Sequence, residues 1–381
     1  MASHCTSLIP SNAFPEQERI FARAFALLKQ AVQERVFPGA AIAVVHRGEL
    51  AAWRGIGRFT YAPDSRPVTP TTVFDLASVT KAVATTAMAM ILYERGRLSL
   101  DQPVVETLPE FGLAQNDDGS PSPDPRRRLV SVRMLLAHSS GLADYSKFFL
   151  RAGTRSELVR LACTAPLAEA PMQHACYSDI GFIVLGELLA RLAGEPLDRF
   201  CQREIFVPLR MNTARYCPPA EWKSEIPPTV DDREFRMRVI QGEVNDENAF
   251  VMGGVSGHAG LFANAVDVAM FGHSMLSGGA PIVSPETVRL FATRQAAPAG
   301  TSRALGWDTP SAPSQAGRYF SRASFGHLGY TGTSLWCDPE RQCAVVLLTN
   351  RTWPDRSTQE IKRVRPLVHD AVREALEERP R

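Results

Sequence analysis

The sequence lacks the features that mark disulfide-rich, metal-binding and membrane-spanning proteins. Its seven cysteines are scattered and odd in number, with no CxxC pair, which indicates reduced thiols in a cytosolic protein. No cluster of histidine, cysteine and aspartate has the spacing of metal ligands, so we expect no metal and no cofactor. The longest apolar run, residues 82–92, is shorter than the roughly 18 residues that a membrane span needs.

The chain also lacks an excess of charge of either sign. Its 42 basic and 40 acidic residues give a net charge of +2, and this balance indicates neither a nucleic-acid partner nor binding to an anionic membrane. The first 21 residues have no basic region and no apolar core, so we expect no signal peptide and a cytoplasmic protein. The sequence does not indicate the oligomeric state.

Lysine is rare, because only five of the 42 basic residues are lysine. One of them, Lys81, follows Ser78 by three residues at the start of an apolar helical segment, so both side chains can share one face. A serine in the first turn lies where the helix dipole favours developing negative charge, and lysine, unlike arginine, can take or relay its proton. The alternative interpretation is a helix cap followed by an incidental charge.

Apolar periodicity places strands at both ends of the chain and helices in the middle. Residues 16–35 have helical spacing, and residues 40–57 predict a β-hairpin. A buried helix at 74–96 follows. The elements expected after residue 100 are helices at 132–137, 156–162, 181–193, 197–206 and 265–276, strands at 302–309, 325–339 and 342–350, and a closing amphipathic helix at 357–377.

This order predicts an α/β protein of the α+β type, with one antiparallel sheet flanked by terminal helices and an inserted all-helical domain. We expect residues 1–75 and 266–381 to form the discontinuous sheet domain and residues 76–265 the mostly helical domain, with the active site at their junction. A chain of 381 residues, 45% of them hydrophobic, is long enough for two such interleaved domains.

Two further segments contain candidate functional residues. Tyr177 precedes a helix that Ser178 or Asp179 can cap, and its alternative interpretation is a packed tyrosine with a solvated hydroxyl. Glycines recur at every third position in the strand-like segment from residue 326 to 332, which indicates close approach of something to the backbone. His327 is the titratable residue among these glycines. The chain has no G-x-S-x-G motif of the α/β-hydrolases.

Together, "ASVTK", "YSD" and "GHLG" resemble the Ser-x-x-Lys, Tyr-x-Asn and Lys/His-x-Gly motifs of the serine β-lactamase and penicillin-binding-protein family. The class C and esterase branch is the most similar part of that family. The resemblance covers nearly the whole chain, from "FPGAAIAVVHRGEL" through "VSVRMLLAHSSGL" and "GGVSGHAGLF" to "GYTGTSLWCDPE". It implies the β-lactamase/transpeptidase-like fold.

The resemblance also implies acyl transfer through a covalent intermediate. Ser78 would attack a carbonyl carbon, and Lys81 and Tyr177 would move the protons, with Lys81 stabilising the Tyr177 phenolate. The backbone N–H groups of Ser78 and Tyr330 would form the oxyanion hole. His327 would hold the third catalytic motif, and Gly329 would let the substrate lie along the strand.

Two positions depart from the family pattern. Asp179 stands where asparagine is usual, and an ionised aspartate can only accept hydrogen bonds, so it suits holding Lys81. His327 and Leu328 stand where lysine and threonine are usual, which weakens binding of a substrate carboxylate. We therefore expect a carboxylesterase or amidase for a smaller or less acidic acyl compound. The alternatives are a β-lactamase or D-alanyl-D-alanine carboxypeptidase, an acyltransferase, and a non-catalytic scaffold.

Overall fold

The computed structural model describes residues 9–10, 16–116 and 120–377. Its main sheet has six strands: β1 Ile9–Pro10, β2 Gly39–His46, β3 Glu49–Gly57, β11 Phe325–Leu328, β12 Ser334–Asp338 and β13 Cys343–Thr349. Their spatial order is β1-β3-β2-β13-β12-β11, so both ends of the chain contribute to one sheet, as predicted. Neighbouring strands are antiparallel except for β1, which pairs with β3 in parallel.

The two central strands, β2 and β13, are apolar on both faces because helices cover both sides of the sheet. Ile42 and Val44 pack on one side against α2 (Ala22–Gln33) and the closing helix α12 (Ile361–Glu377). Ala43, between them, faces the larger core on the other side, as the two-residue period of a strand requires.

Helices are the main regular elements in the rest of the described chain, and the predicted helices are present with ends that differ by a few residues. The helix predicted at 74–96 begins later, because Phe74–Asp75 form a short strand. The helices besides α2 and α12 are α1 Gln17–Ile20, α3 Ala87–Glu94, α4 Val104–Thr107, α5 Val132–Leu136, α6 Arg155–Thr164, α7 Asp179–Ala193, α8 Leu197–Cys201, α9 Glu247–Val251, α10 Ala265–Leu276 and α11 Pro285–Ala292. Short 3-10 turns occupy Pro109–Gly112, Pro125–Leu129, Phe148–Leu150 and Ala220–Glu225, and π-helical turns occupy Lys81–Thr86 and Gln202–Phe206.

Seven short strands form small sheets outside the main one. β4 (Phe74–Asp75), β10 (Leu261–Ala263) and β7 (Arg215–Tyr216) form a three-stranded sheet in that order. The two remaining pairs are β5 Leu113–Gln115 with β6 Pro121–Pro123, and β8 Val230–Asp232 with β9 Arg238–Ile240. The pairing of β4 with β10 brings the segment before Ser78 beside the segment that follows His258.

Two strand predictions were wrong. Residues 302–309 fold back on themselves, so that Arg303 and Asp308 pair across a tight turn with Gly306 at a φ of 78°. The predicted strand 325–339 is a hairpin, because Gly332 has a φ of 95° and the chain reverses between β11 and β12. The proposed boundaries of the two domains, at residues 75 and 265, stay predictions.

We searched the described part of the chain for helices that could cross a membrane and found none. None of the helices there combines the length and the apolar composition that crossing a bilayer demands.

Candidate active site

Ser78 lies one residue before the helical segment that begins at Val79 and continues into the π-helical turn Lys81–Thr86. The backbone is strained at this point. The residue before Ser78, Ala77, has a φ of 46°, which is the left-handed region that a residue with a Cβ rarely adopts. The Ala77 N–H donates to the buried carboxyl of Asp75 at 2.8 Å, and the second oxygen of Asp75 accepts from the Asn245 N–H at 2.6 Å. This carboxyl therefore holds the turn that presents Ser78.

The side chain of Lys81 is fully buried, and its Nζ has three acceptors. Nζ lies 2.9 Å from Ser78 Oγ, 2.6 Å from Asp179 Oδ1 and 3.0 Å from the carbonyl oxygen of His258. Burial lowers the pKa of Lys81, but the negative charge of Asp179 and the oxygen of Tyr177 outweigh it, so the pKa is raised above its ordinary value. At neutral pH Lys81 is therefore an ammonium that donates all three of its protons.

Tyr177 directly precedes α7 and is held there by Ser178, the next residue in the chain, and by the ring of His138. Ser178 caps the helix, since its Oγ accepts from the Gly181 N–H at 3.0 Å, and its own N–H donates to His138 Nδ1 at 3.0 Å. The His138 ring lies between the rings of Tyr177 and Phe182, with centroid distances of 4.7 and 5.0 Å. Burial keeps the pKa of His138 well below its ordinary value, so this neutral ring is a support for Tyr177.

The phenol of Tyr177 interacts with both Lys81 and Ser78. Burial raises the pKa of Tyr177, and the positive charge of Lys81 opposes this only in part, so the pKa is raised above its ordinary value. The sequence-based expectation was a phenolate stabilised by lysine. The resting site instead holds a neutral phenol beside a charged ammonium.

The turn between β11 and β12 lies against the segment that precedes Ser78. Hydroxyls of Thr331 and Thr333 donate to the carbonyl oxygens of Asp75 and Leu76, both at 2.8 Å. A Cβ on Gly329 would stand 2.0 Å from Thr333 Oγ1 and 2.5 Å from the Leu76 carbonyl oxygen. The close approach that the glycine spacing predicted is thus made by the protein itself, through the Thr333 side chain and the Leu76 backbone.

The two expected oxyanion donors come from these neighbouring segments. Tyr330 lies in the turn that follows β11, whereas the prediction placed it on a strand. Within the described ranges, the N–H groups of Ser78 and Tyr330 form no hydrogen bond to another backbone group. Both are thus free to donate to a ligand, as an oxyanion hole requires.

His327 is buried on β11 and faces Tyr177, with 6.0 Å between the ring centroids. Its Nδ1 lies 2.8 Å from the Leu328 carbonyl oxygen, which can only accept, so Nδ1 carries the proton and Nε2 is an acceptor. Burial, with a smaller contribution from the charge of Lys81, lowers the pKa of His327 to about 3. The residue is therefore a neutral imidazole at physiological pH.

One cavity of about 810 Å³ connects these groups, with Ser78, Tyr177, Asp179, His327 and Tyr330 on its wall. Its size is that of a site for a drug-sized molecule, which does not favour the small substrate expected from the sequence. Six basic side chains also line it, and sequence reasoning missed their convergence: Lys147, Arg303, Arg351, Arg356, Lys362 and Arg365.

A second group of polar side chains contacts Lys81 through the backbone carbonyl of His258. His258 Nδ1 is 2.8 Å from Ser256 Oγ, and His258 Nε2 is 2.8 Å from Asp246 Oδ1. Ser256 is buried and does not line the cavity. The hydrogen bonds from Ser256 and Asp246 hold His258 in place, and with it the carbonyl oxygen that accepts from Lys81. The described residues contain no group of three or more His, Cys, Asp and Glu side chains that could hold a metal ion.

Comparisons with known proteins agree with this geometry. The family model described as Beta-lactamase matches residues 24–369. N-acetylmuramyl-L-alanine amidase of Bacillus subtilis (strain 168) is 33% identical over 350 aligned positions, which cover 83% of this chain and 77% of the relative. A putative D-alanyl-D-alanine carboxypeptidase of Escherichia coli (strain K12) is 29% identical over 315 positions, covering 75% of this chain and 71% of the relative.

Solved structures show the same fold at lower identity. The hydrolase EstCE1, described as having promiscuous acyltransferase activity, superposes with a TM-score of 0.73 at 22% identity, covering 94% of this chain and all of that one. Unliganded simvastatin synthase (LovD) from Aspergillus terreus also gives a TM-score of 0.73, at 19% identity, covering 94% of this chain and 99% of that one.

The fold is therefore that of the β-lactamase and penicillin-binding-protein class. The chain belongs to the Beta-lactamase family. Within that family it is a serine hydrolase that acts on ester or amide bonds.

Proposed function

We propose that this protein is a carboxylesterase that forms an acyl-enzyme on Ser78. The observation that carries the proposal is the contact of Ser78 Oγ with Lys81 Nζ at 2.9 Å, at the wall of a cavity large enough for a substrate. The strained turn at Ala77 supports it, since such strain is typical of functional positions.

Acylation begins when the Lys81–Tyr177 pair has lost one proton and can accept another. Ser78 Oγ then transfers its proton to the pair and forms a bond to the carbonyl carbon, whose π electrons move onto the oxygen. The N–H groups of Ser78 and Tyr330 donate to this oxyanion. When the tetrahedral intermediate collapses, the bond to the leaving alkoxide breaks and Tyr177 returns the proton to it. Water repeats the sequence on the acyl-enzyme.

His327 and Asp179 have supporting roles in this scheme. The Asp179 carboxylate, 2.6 Å from Lys81 Nζ, holds the ammonium under Ser78 and Tyr177. The His327 ring lies beside that of Tyr177 and keeps Nε2 unprotonated, so Nε2 can accept a hydrogen bond from the alcohol once Tyr177 has protonated the leaving group. Gly329 allows the turn that carries Tyr330 to lie against Leu76.

Amide hydrolysis is a second candidate, and the Bacillus subtilis relative described as an amidase supports it. Asp179 in place of asparagine and His327-Leu328 in place of lysine and threonine argue against β-lactamase or D-alanyl-D-alanine carboxypeptidase activity as the main one.

We also propose a cytoplasmic location, supported by six free cysteines, four of them buried, among the described residues.

The test is a fluorophosphonate probe combined with p-nitrophenyl butyrate hydrolysis. Wild-type protein should be labelled on Ser78 and cleave the ester, and Ser78→Ala should lose both properties. Ser99→Ala, which changes an exposed serine outside the cavity, is the matched control and should retain both. A Ser78→Ala protein that still cleaves the ester at the wild-type rate contradicts the proposal. Parallel assays with amide and β-lactam substrates rank the alternatives.

A further inference from the structure

Two arginines of the cavity wall are buried without an acidic partner. Arg351 and Arg365 each expose 3% of their surface, and no carboxylate of the described residues lies within 4.0 Å of either guanidinium. By contrast Arg356, on the same wall, has its charge paired with Glu247 at 2.7 Å. Buried charges in proteins are nearly always paired, so the missing counter-charge needs an explanation.

Neutral groups alone hold these two guanidinium groups. Arg351 donates from Nε to the Tyr330 carbonyl oxygen at 2.7 Å and from Nη1 to the Thr358 carbonyl oxygen at 2.6 Å. Arg365 donates from Nη1 to Gln315 Oε1 at 2.8 Å, and its buried Nε has no protein acceptor among the described residues. The positive charge of the pair is thus uncompensated at the cavity wall.

The charge persists at neutral pH. Burial, with a smaller contribution from the neighbouring charge of Arg351, lowers the pKa of Arg365 to about 9. Two cations therefore share a partly enclosed space and repel each other. An anion that entered this part of the cavity would relieve the repulsion and pair both guanidinium groups.

We propose that Arg351 and Arg365 form an anion subsite that binds a carboxylate carried by the substrate. This inference rests on the proposed esterase function and adds the substrate class to it. The planar fork of a guanidinium matches a carboxylate in geometry as well as in charge. The subsite adjoins the oxyanion turn, because Arg351 donates to Tyr330 and its guanidinium carbon lies 4.5 Å from the centre of the Tyr330 ring.

The subsite changes the substrate expected from the sequence. Neutral His327 and apolar Leu328 make the usual strand position unsuited to a carboxylate, which indicated a less acidic substrate. In the proposed subsite the substrate carboxylate is bound by Arg351, in the segment after β13, and by Arg365, in the first turns of α12, in place of residues on that strand.

The experiment compares ester pairs that differ by one carboxylate. One pair places the charge on the acyl chain, as mono-p-nitrophenyl glutarate against p-nitrophenyl valerate. The other places it on the leaving group, as 4-carboxyphenyl butyrate against phenyl butyrate. We expect a preference in kcat/KM of at least about tenfold for the charged ester in one pair, the effect of one charge-assisted contact. Equal kcat/KM values in both pairs overturn the proposal.

Variants assign the preference to Arg365. Arg365→Gln should reduce the charged-to-neutral ratio of kcat/KM to near one, and Arg365→Lys should keep part of it. The matched control is Arg363→Gln, which removes an exposed arginine from the same helix outside the cavity and should leave the ratio unchanged. A ratio that Arg365→Gln does not alter contradicts the proposal, and the wild-type comparison stands even where this variant fails to fold.

The two proposals fail in different ways. If Ser78 is labelled by fluorophosphonate and neutral esters are cleaved without any preference for charge, the subsite is wrong and the esterase function stands. If no ester is cleaved and Ser78 is not labelled, the proposed function is wrong. The subsite is then tested by the rise in Tm that glutarate causes in the wild type, which Arg365→Lys should keep in part and Arg365→Gln should lose. No rise in the wild type overturns the subsite as well.

Discussion

The ammonium of Lys81 and the carboxylate of Asp179 lie 2.6 Å apart, joining the start of one buried helix to the start of another. Lys81 is fully buried and Asp179 keeps a fifth of its side chain exposed, with 0% and 19% accessible, respectively. This pair decides the protonation state of the site, because the charge of Asp179 raises the pKa of both Lys81 and Tyr177.

The first prediction concerns the pH dependence of hydrolysis. The Lys81–Tyr177 pair accepts the Ser78 proton only after losing one of its own, and the pKa values of both groups are raised. We therefore expect kcat/KM to increase with pH above neutrality, by about tenfold per pH unit before it levels off. Asp179→Asn removes a charge that raises both pKa values, so its rising limb should move to lower pH.

A pH–rate profile for ester hydrolysis checks this prediction. Asp144→Asn, at an exposed position outside the cavity wall, is the control and should keep the wild-type profile. A rising limb that stays in place in Asp179→Asn, or moves to higher pH, would show that Asp179 does not control the proton-accepting pair.

The second prediction concerns the hydroxyl of Tyr177. Tyr177→Phe keeps the ring that packs against His138 and removes the hydroxyl that passes protons. We expect kcat to fall by about 10²–10⁴-fold, the usual contribution of a positioned acid–base group, with little change in Tm. Tyr93→Phe removes a tyrosine hydroxyl outside the cavity and serves as the control. Unchanged kcat in Tyr177→Phe would assign the proton transfer to Lys81 alone.

The third prediction concerns His327. Because its pKa is lowered to about 3, it stays neutral as the pH falls from 8 to about 5, the range in which an unperturbed histidine gains its proton. Between about pH 6 and 7 the pH–rate profile should therefore show only the slope set by the Lys81–Tyr177 pair, with no additional inflection from His327. An additional inflection in that range that disappears in His327→Gln would show that the imidazole titrates during turnover.

The fourth prediction concerns the turn that carries Tyr330. Gly329→Ala places a Cβ 2.5 Å from the Leu76 carbonyl oxygen, which cannot move without displacing the segment before Ser78. We expect a loss of about 10²-fold in kcat/KM, the typical effect of a small misplacement of reacting groups, and a destabilisation of about 1–3 kcal/mol from overpacking.

Steady-state kinetics and thermal unfolding measure both effects of Gly329→Ala. The control is Gly112→Ala, whose Cβ would meet its nearest neighbour, Val105 Cγ1, at an ordinary 3.6 Å. Wild-type activity in Gly329→Ala would mean that the turn does not have to lie against Leu76 for catalysis.

Local patterns in the sequence predicted much of the fold. The hairpin of β2 and β3 and the helices α7, α10 and α12 follow from apolar periodicity, and their ends were placed within a few residues. The segment 302–309 was misread because its alternating apolar residues resemble a strand. Gly306 reverses the chain there and packs on Thr86, so that Arg303 reaches the cavity wall.

The sequence by itself determined the pairing of Ser78 with Lys81, because residues three apart at the start of a helix share one face whatever the rest of the chain does. It also determined that Gly329 is tightly packed, but not by which group. Only the tertiary structure decided the electrostatics of the site. Asp179 and the His258 carbonyl reach Lys81 from 98 and 177 residues away, and burial then sets which charges remain uncompensated. No local pattern encodes those distances, so the protonation of Lys81 and Tyr177 and the unpaired charge of Arg365 follow from the packing alone.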